Sequence, residues 1–120
     1  MKIDKTSEKI CEEYKTQELN RQEFLTRIMK PTNPYEKHNS KQLACEFIDE
    51  FTRQINRSIL VENQVLITEF HSIKKLLYDL YEEIDEYYTE TLERNDELAI
   101  DCADAQLQLI KEIIDKVEKI

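Results

Sequence analysis

Not one of the 120 residues is glycine, and that absence constrains the fold more than any residue present. Tight β-turns need backbone at positive φ, which glycine adopts without steric penalty and most residues do not. With only two prolines, Pro31 and Pro34, the chain is expected to build helices joined by short polar links. Its commonest residues, Glu, Ile, Leu and Lys, are good or tolerable helix formers. The expected fold is all-α: a four- to five-helix bundle ending in a long antiparallel helical hairpin, in one domain over residues 1–120.

Within that domain the pattern divides into an N-terminal helical segment (1–30), a Pro-containing loop (31–39) and a helical core (40–120). Thr6 or Ser7 can cap a first helix, and Asn20 with Glu23 offers a capping box after the polar run "KTQELNRQ", where a break is expected. Pro31 and Pro34 push their predecessors out of the α region. Ser40 is expected to open a helix carrying Leu43, Ala44, Phe47, Ile48, Phe51 and Ile55 on one face. "SILVENQVLITEF" is rich in β-branched residues, but a hairpin there would lack a turn glycine and a third strand, so a helix break within Asn56–Asn63 is expected instead. Leu66, Phe70, Ile73, Leu77, Leu80, Ile84 and Tyr87 then alternate four and three apart, the seam of a long helix. "ERND" interrupts it, and Asn95 or Asp96 caps a last helix with Leu98, Cys102, Ala105, Leu109 and Ile113 on its inner side.

The net charge of −9 argues against binding to nucleic-acid backbones, which takes clustered Lys and Arg. Cys11, Cys45 and Cys102 are odd in number and far apart, and read as reduced, partly buried small hydrophobes. "MKIDKTSEKI" has no apolar run of a signal peptide, and no stretch is apolar enough to span a membrane, so a cytoplasmic protein is expected. His38 and His71 have no Ser or Cys at a triad-like spacing and read as ordinary surface or boundary residues. Tyr87 is assigned to the core. Tyr78, Tyr81 and Tyr88 are open to stacking, an interface or partial burial, and Lys74 and Lys75 to a phosphate chain or to neighbouring acids.

Helical geometry sorts the acids near the C-terminus. With Ile84 as the core direction, Asp79, Glu83, Glu86 and Glu90 form a stripe roughly 110° to one side. On the last helix Asp101, Asp104, Gln108 and Glu112 are displaced roughly 60–140° in the same sense, which in an antiparallel hairpin puts both stripes on one face. Glu86 is expected level with Asp101, and Glu83 level with Asp104. Four converging carboxylates repel unless hydrated or bridged by a cation, and Mg²⁺ suits hard oxygen ligands.

The same residues carry a family resemblance. "EEIDE" (82–86) is similar to the EExxE element of the MazG-like all-α nucleoside triphosphate pyrophosphatases, and "DCADAQLQLIKEI" (101–113) resembles their ExxD element, with fourteen residues between Glu86 and Asp101. Asp101 stands where the family has Glu. The resemblance implies Mg²⁺ ligands at Glu83, Glu86, Asp101 and Asp104, Glu82 as an auxiliary catalytic acid, hydrolysis of a nucleoside triphosphate to monophosphate and pyrophosphate, and a homo-oligomer. The alternative, read from charge alone, is a non-catalytic acidic helical protein, an inhibitor or adaptor, docking on a basic protein partner. In that case Glu12, Glu13 and Asp49 should matter as much as the C-terminal acids, and binding should weaken steeply with salt.

Overall fold

Several helix boundaries in this chain fall where a short polar side chain takes over a backbone hydrogen bond. The computed structural model describes residues 7–17 and 19–120. Among these it holds five α-helices and no strand: α1 (Ser7–Lys15), α2 (Arg21–Met29), α3 (Lys37–Arg57), α4 (Leu60–Arg94) and α5 (Glu97–Glu118), with a 3₁₀ turn over Pro34–Glu36. The all-α expectation holds. Ser7 is already inside α1, and Thr6, the other candidate cap, lies outside the described residues.

The capping box forms as expected: the Asn20 side chain accepts from Glu23 N at 2.8 Å, and the Glu23 carboxylate accepts from Asn20 N at 3.4 Å. Ser40 does not open α3. The Asn33 side chain accepts from Tyr35 N at 2.9 Å and the Asn33 carbonyl from Glu36 N at 3.0 Å, a turn that runs straight into α3 at Lys37. Proline suits the first position of such a turn because its missing N–H is not needed there. The expected loop over 31–39 is shortened accordingly: Ser40 is a buried residue inside the helix, and His38 is exposed on it rather than in a loop.

The α3–α4 break falls at Ser58–Ile59, within the expected window. Asn63 Nδ2 donates to the Ile55 carbonyl at 2.6 Å, an acceptor that the helix end leaves open, and Ser58 Oγ joins its own N–H on the Gln54 carbonyl at 2.6 Å. At the other end of α4, Asn95 takes the left-handed conformation (φ 54°), and the Asp96 side chain accepts from Ala99 N at 3.2 Å to start α5.

α4 and α5 form the long antiparallel hairpin, and α2 and α3 pack across it. Leu25, Ile28 and Met29 of α2 are fully buried, as are Ile48 of α3, Ile73 and Ile84 of α4, and Leu109, Ile110 and Ile113 of α5. A single buried cluster runs from Ile10 to Val117. A row of rings extends it, with centroids 4.4 Å apart for Tyr14–Phe24, 5.5 Å for Phe24–Phe47, 6.2 Å for Phe47–Phe51 and 6.0 Å for Phe51–Phe70. Arg21 ties three helices together. Its guanidinium lies 4.8 Å from the Phe51 ring centre and donates to Glu69 at 2.7 Å and to Gln54 at 3.0 Å, a stacked and forked contact that lysine would not reproduce.

Two seam assignments change. Tyr87 is only half-buried. Past Ile84 the seam follows Tyr88, which packs on the core, to Thr91, which is fully buried with its hydroxyl donating to the Tyr88 carbonyl at 2.7 Å. Steps of four then three and of three then four reach the same position 91, so spacing alone could not choose between the tyrosines. Leu98 is 73% exposed, although it shares a helix face with Cys102. The connection after α2 bonds to α5 at Cys102 and Gln106, one turn and more below Leu98. Among the described residues no helix is long and apolar enough to cross a membrane.

Candidate functional site

The connection from Lys30 to Lys37 decides what the acidic stripes can do. The Pro31 carbonyl accepts from Gln106 Nε2 at 2.9 Å and from the Cys102 thiol at 3.2 Å, clamping the chain onto α5. Lys30, at one end of this connection, pairs with Glu83 of α4 at 2.6 Å. Lys37, at the other end, donates to Gln108 Oε1 at 2.6 Å, and Gln108 donates to Asp104 at 2.8 Å. Lys41 pairs with Glu112 at 3.4 Å. The two stripes thus flank a strap of chain that the hairpin considered alone does not contain.

The strap gives two of the four carboxylates partners of their own. Glu83 is taken by Lys30 and Asp104 by Gln108, while Glu86 and Asp101 are exposed with no hydrogen bond or ion pair of their own among the described residues. Glu82, the expected auxiliary acid, is likewise exposed and unpaired. Among the described residues no group of three or more acid, histidine or cysteine side chains is arranged to hold a metal ion. Glu83 and Glu86 on α4 with Asp101 and Asp104 on α5 remain the side chains that a movement of the strap would have to gather.

What the strap builds instead is a cleft of about 410 Å³ between itself and the hairpin, near the lower end of the roughly 300–1,000 Å³ usual for small-molecule sites. Lys30 and Thr32 form one wall, Glu83 and Tyr87 the α4 side, and Cys102 and Gln106 the α5 side. Burial pushes the Cys102 thiol pKa up, partly opposed by the Gln106 amide, so the group stays protonated and a poor nucleophile. Lys30, Thr32 and Gln106 were not singled out from the sequence. Gln106 left a signal, as a polar residue four positions after Cys102 and three before Leu109, on the inward-facing side of α5. Lys30 and Thr32 left none, because only the fold of the strap brings them to the hairpin. Lys74 lies 3.8 Å from Glu118, which also accepts from the Tyr78 hydroxyl at 2.8 Å, and His71 is exposed on α4.

Beyond the cleft lies the tip of the hairpin, where the charge is concentrated. Residues 76–110 hold eleven Asp and Glu against one base, Arg94, a net charge of −10. The whole chain carries −9, so all other residues together are left at +1. Elsewhere several acids have cationic partners: Glu13 with Arg27, Asp49 with Lys116, Glu50 with Arg53, Glu69 with Arg21. The Arg53 guanidinium holds the Glu50 carboxyl below the usual range. Within 76–110, Glu83 is the one acid in an ion pair among the described residues. Two leucines stand among the tip acids, Leu92 at 50% and Leu98 at 73% exposure.

No family model matches this chain, and no curated protein and no solved structure shows significant similarity to it. The resemblance to the MazG-like pyrophosphatases accordingly rests on "EEIDE" and "DCADAQLQLIKEI" alone.

Proposed function

We propose that this chain is a non-catalytic helical binding protein that docks a basic protein partner through the tip of the α4–α5 hairpin. One observation carries the reading: a net charge of −10 lies within residues 76–110 and the rest of the chain is nearly neutral. An acidic surface needed only for solubility would be spread over the molecule. Here several acids outside the tip are paired, while Glu86, Glu90, Glu93, Glu97 and Asp101 are exposed without an ion pair among the described residues. The exposed Leu92 and Leu98 supply the apolar centre that a specific interface needs inside a polar rim. Glu13 and Asp49, already paired, contribute little on this account. The test is binding of an amphipathic peptide rich in Lys, Arg and Leu to the purified chain at increasing salt. Affinity should fall steeply with salt, and Glu90→Lys/Glu93→Lys should weaken binding by roughly tenfold or more. Equal loss on reversing Asp49 would sink the reading.

A second reading, Mg²⁺-dependent hydrolysis of a nucleoside triphosphate, draws support from the cleft, because both helices bearing the MazG-like motifs border it and Lys30 stands at its wall. It requires Glu83 to leave Lys30. Turnover of a panel of nucleoside triphosphates that depends on Mg²⁺ and is lost in Asp101→Asn would favour it over the binding protein.

A further inference from the structure

The opposite end of α4 carries the densest group of exposed apolar side chains among the described residues. Ile59, Leu60, Val61 and Val65 are 68%, 77%, 72% and 64% exposed. Ile59 and Leu60 form an apolar ridge at the start of α4, and Val61 and Val65, one turn apart, share a face of the helix beside it. Beside the ridge runs a groove of about 520 Å³, floored by Val61, Val65 and Leu66 and edged by Arg57 and Glu62.

The charges identify the occupant. Two copies of a chain at −9 repel wherever their acidic tips approach. Residues 51–73 balance Arg53 and Arg57 against Glu62 and Glu69, so the α3–α4 corner is an apolar surface on which like copies can meet without that cost. Arg57 and Glu62 form no ion pair among the described residues, although the ion pairs of Glu50 and Glu69 are satisfied close by. A two-fold contact pairs a surface with itself, so it is favoured where cation and anion stand side by side and a ridge lies beside a groove. This corner has both.

We propose that the α3–α4 corner is a homodimer interface. Two copies related by a two-fold axis each seat the Ile59–Leu60 ridge in the other's groove, with Arg57 facing Glu62 of the partner subunit. The tips then point away from the interface. α4 spans about 52 Å at 1.5 Å per residue, many times the Debye length of about 8 Å at physiological salt. Tip repulsion therefore does not oppose the pairing, and the dimer presents two docking tips. The proposal does not depend on what the tip binds.

Light scattering and sedimentation of the full chain, kept reduced, from nanomolar to high micromolar concentration test it. The expected result is a species of twice the 14.5 kDa monomer mass. Val61→Glu/Val65→Glu should return it to the monomer with helicity unchanged. If that variant loses helicity, Val61→Ser/Val65→Ser carries the same reading. Arg57→Glu and Glu62→Arg should each weaken association, and combining them should restore it. A monomer throughout the series, a dimer indifferent to the valine substitutions, or a double charge swap no better than either single change would overturn the proposal.

Discussion

The two ends of α4 are finished in opposite ways. At its C-terminus the chain reverses through a left-handed Asn95 and a side-chain cap from Asp96, and every charge but one in the surrounding 35 residues is negative. At its N-terminus Ile59 provides no side-chain cap, the exposed large apolar residues Ile59, Leu60, Val61 and Val65 cluster, and the local charges cancel. Between them the helix is held by side chains such as Ile73, Leu77 and Ile84, each at 1% exposure or less. One helix thus provides a packed middle that sets stability, an acidic end suited to a basic surface and an apolar end suited to a like copy. The acidic end and the aliphatic end lie at opposite ends of α4, in a molecule 52 Å along its longest axis.

The contrast between middle and ends is broken most severely by cavity formation. Ile84→Ala should cost about 2–5 kcal/mol in urea unfolding, whereas Val61→Ala should cost less than about 0.5 kcal/mol when measured below any association threshold. Similar values for the two would mean that the N-terminal end of α4 is packed after all. At the tip, Asp96→Ala removes the cap on Ala99 N and should cost about 1 kcal/mol, while Asn95→Gly relieves the left-handed strain and should stabilise slightly. Opposite signs at adjacent residues, read by thermal melting, would sharpen the description of the turn. The smallest effect is on the acids themselves. Glu86→Gln/Asp101→Asn should raise apo stability by a few tenths of a kcal/mol, about the size of one like-charge helix contact, and leave the melting temperature indifferent to Mg²⁺. A wild-type melting temperature that rises with Mg²⁺, and a variant that loses the rise, would instead favour the hydrolase reading.

The helical content was legible in the missing glycines, and the α2 capping box, the break at Ser58–Ile59 and the cap at Asp96 were legible in local polar residues. These features depend on hydrogen bonds within a few positions of one another. The start of α3 was misplaced because the Asn33 turn and Pro34 together continue into a helix, whereas each proline taken separately reads as a breaker. The meeting of Glu83, Glu86, Asp101 and Asp104 was read from an isolated hairpin. In the fold Glu83 pairs with Lys30 and Asp104 accepts from Gln108, which Lys37 in turn holds; both lysines, more than forty residues away from the acids in sequence, arrive with a strap pinned by Pro31 to Gln106. Nothing in the local pattern of α4 and α5 announces that strap. The two apolar outliers, Leu92 and Leu98, were legible only as helix residues. Their exposure depends on how far the α2 layer extends along the hairpin.

The central claim is that the hairpin tip, and not the cleft or the acid surface as a whole, is where this protein meets its partner. Titrating the isotope-labelled chain with the Lys/Arg/Leu-rich peptide and following backbone amide shifts tests it directly. The account predicts shifts confined to residues 86–101, with Leu92 and Leu98 among the largest, and their disappearance at high salt. Shifts centred on Lys30, Thr32 and Gln106, or spread evenly along α1, α3 and α5, would contradict it.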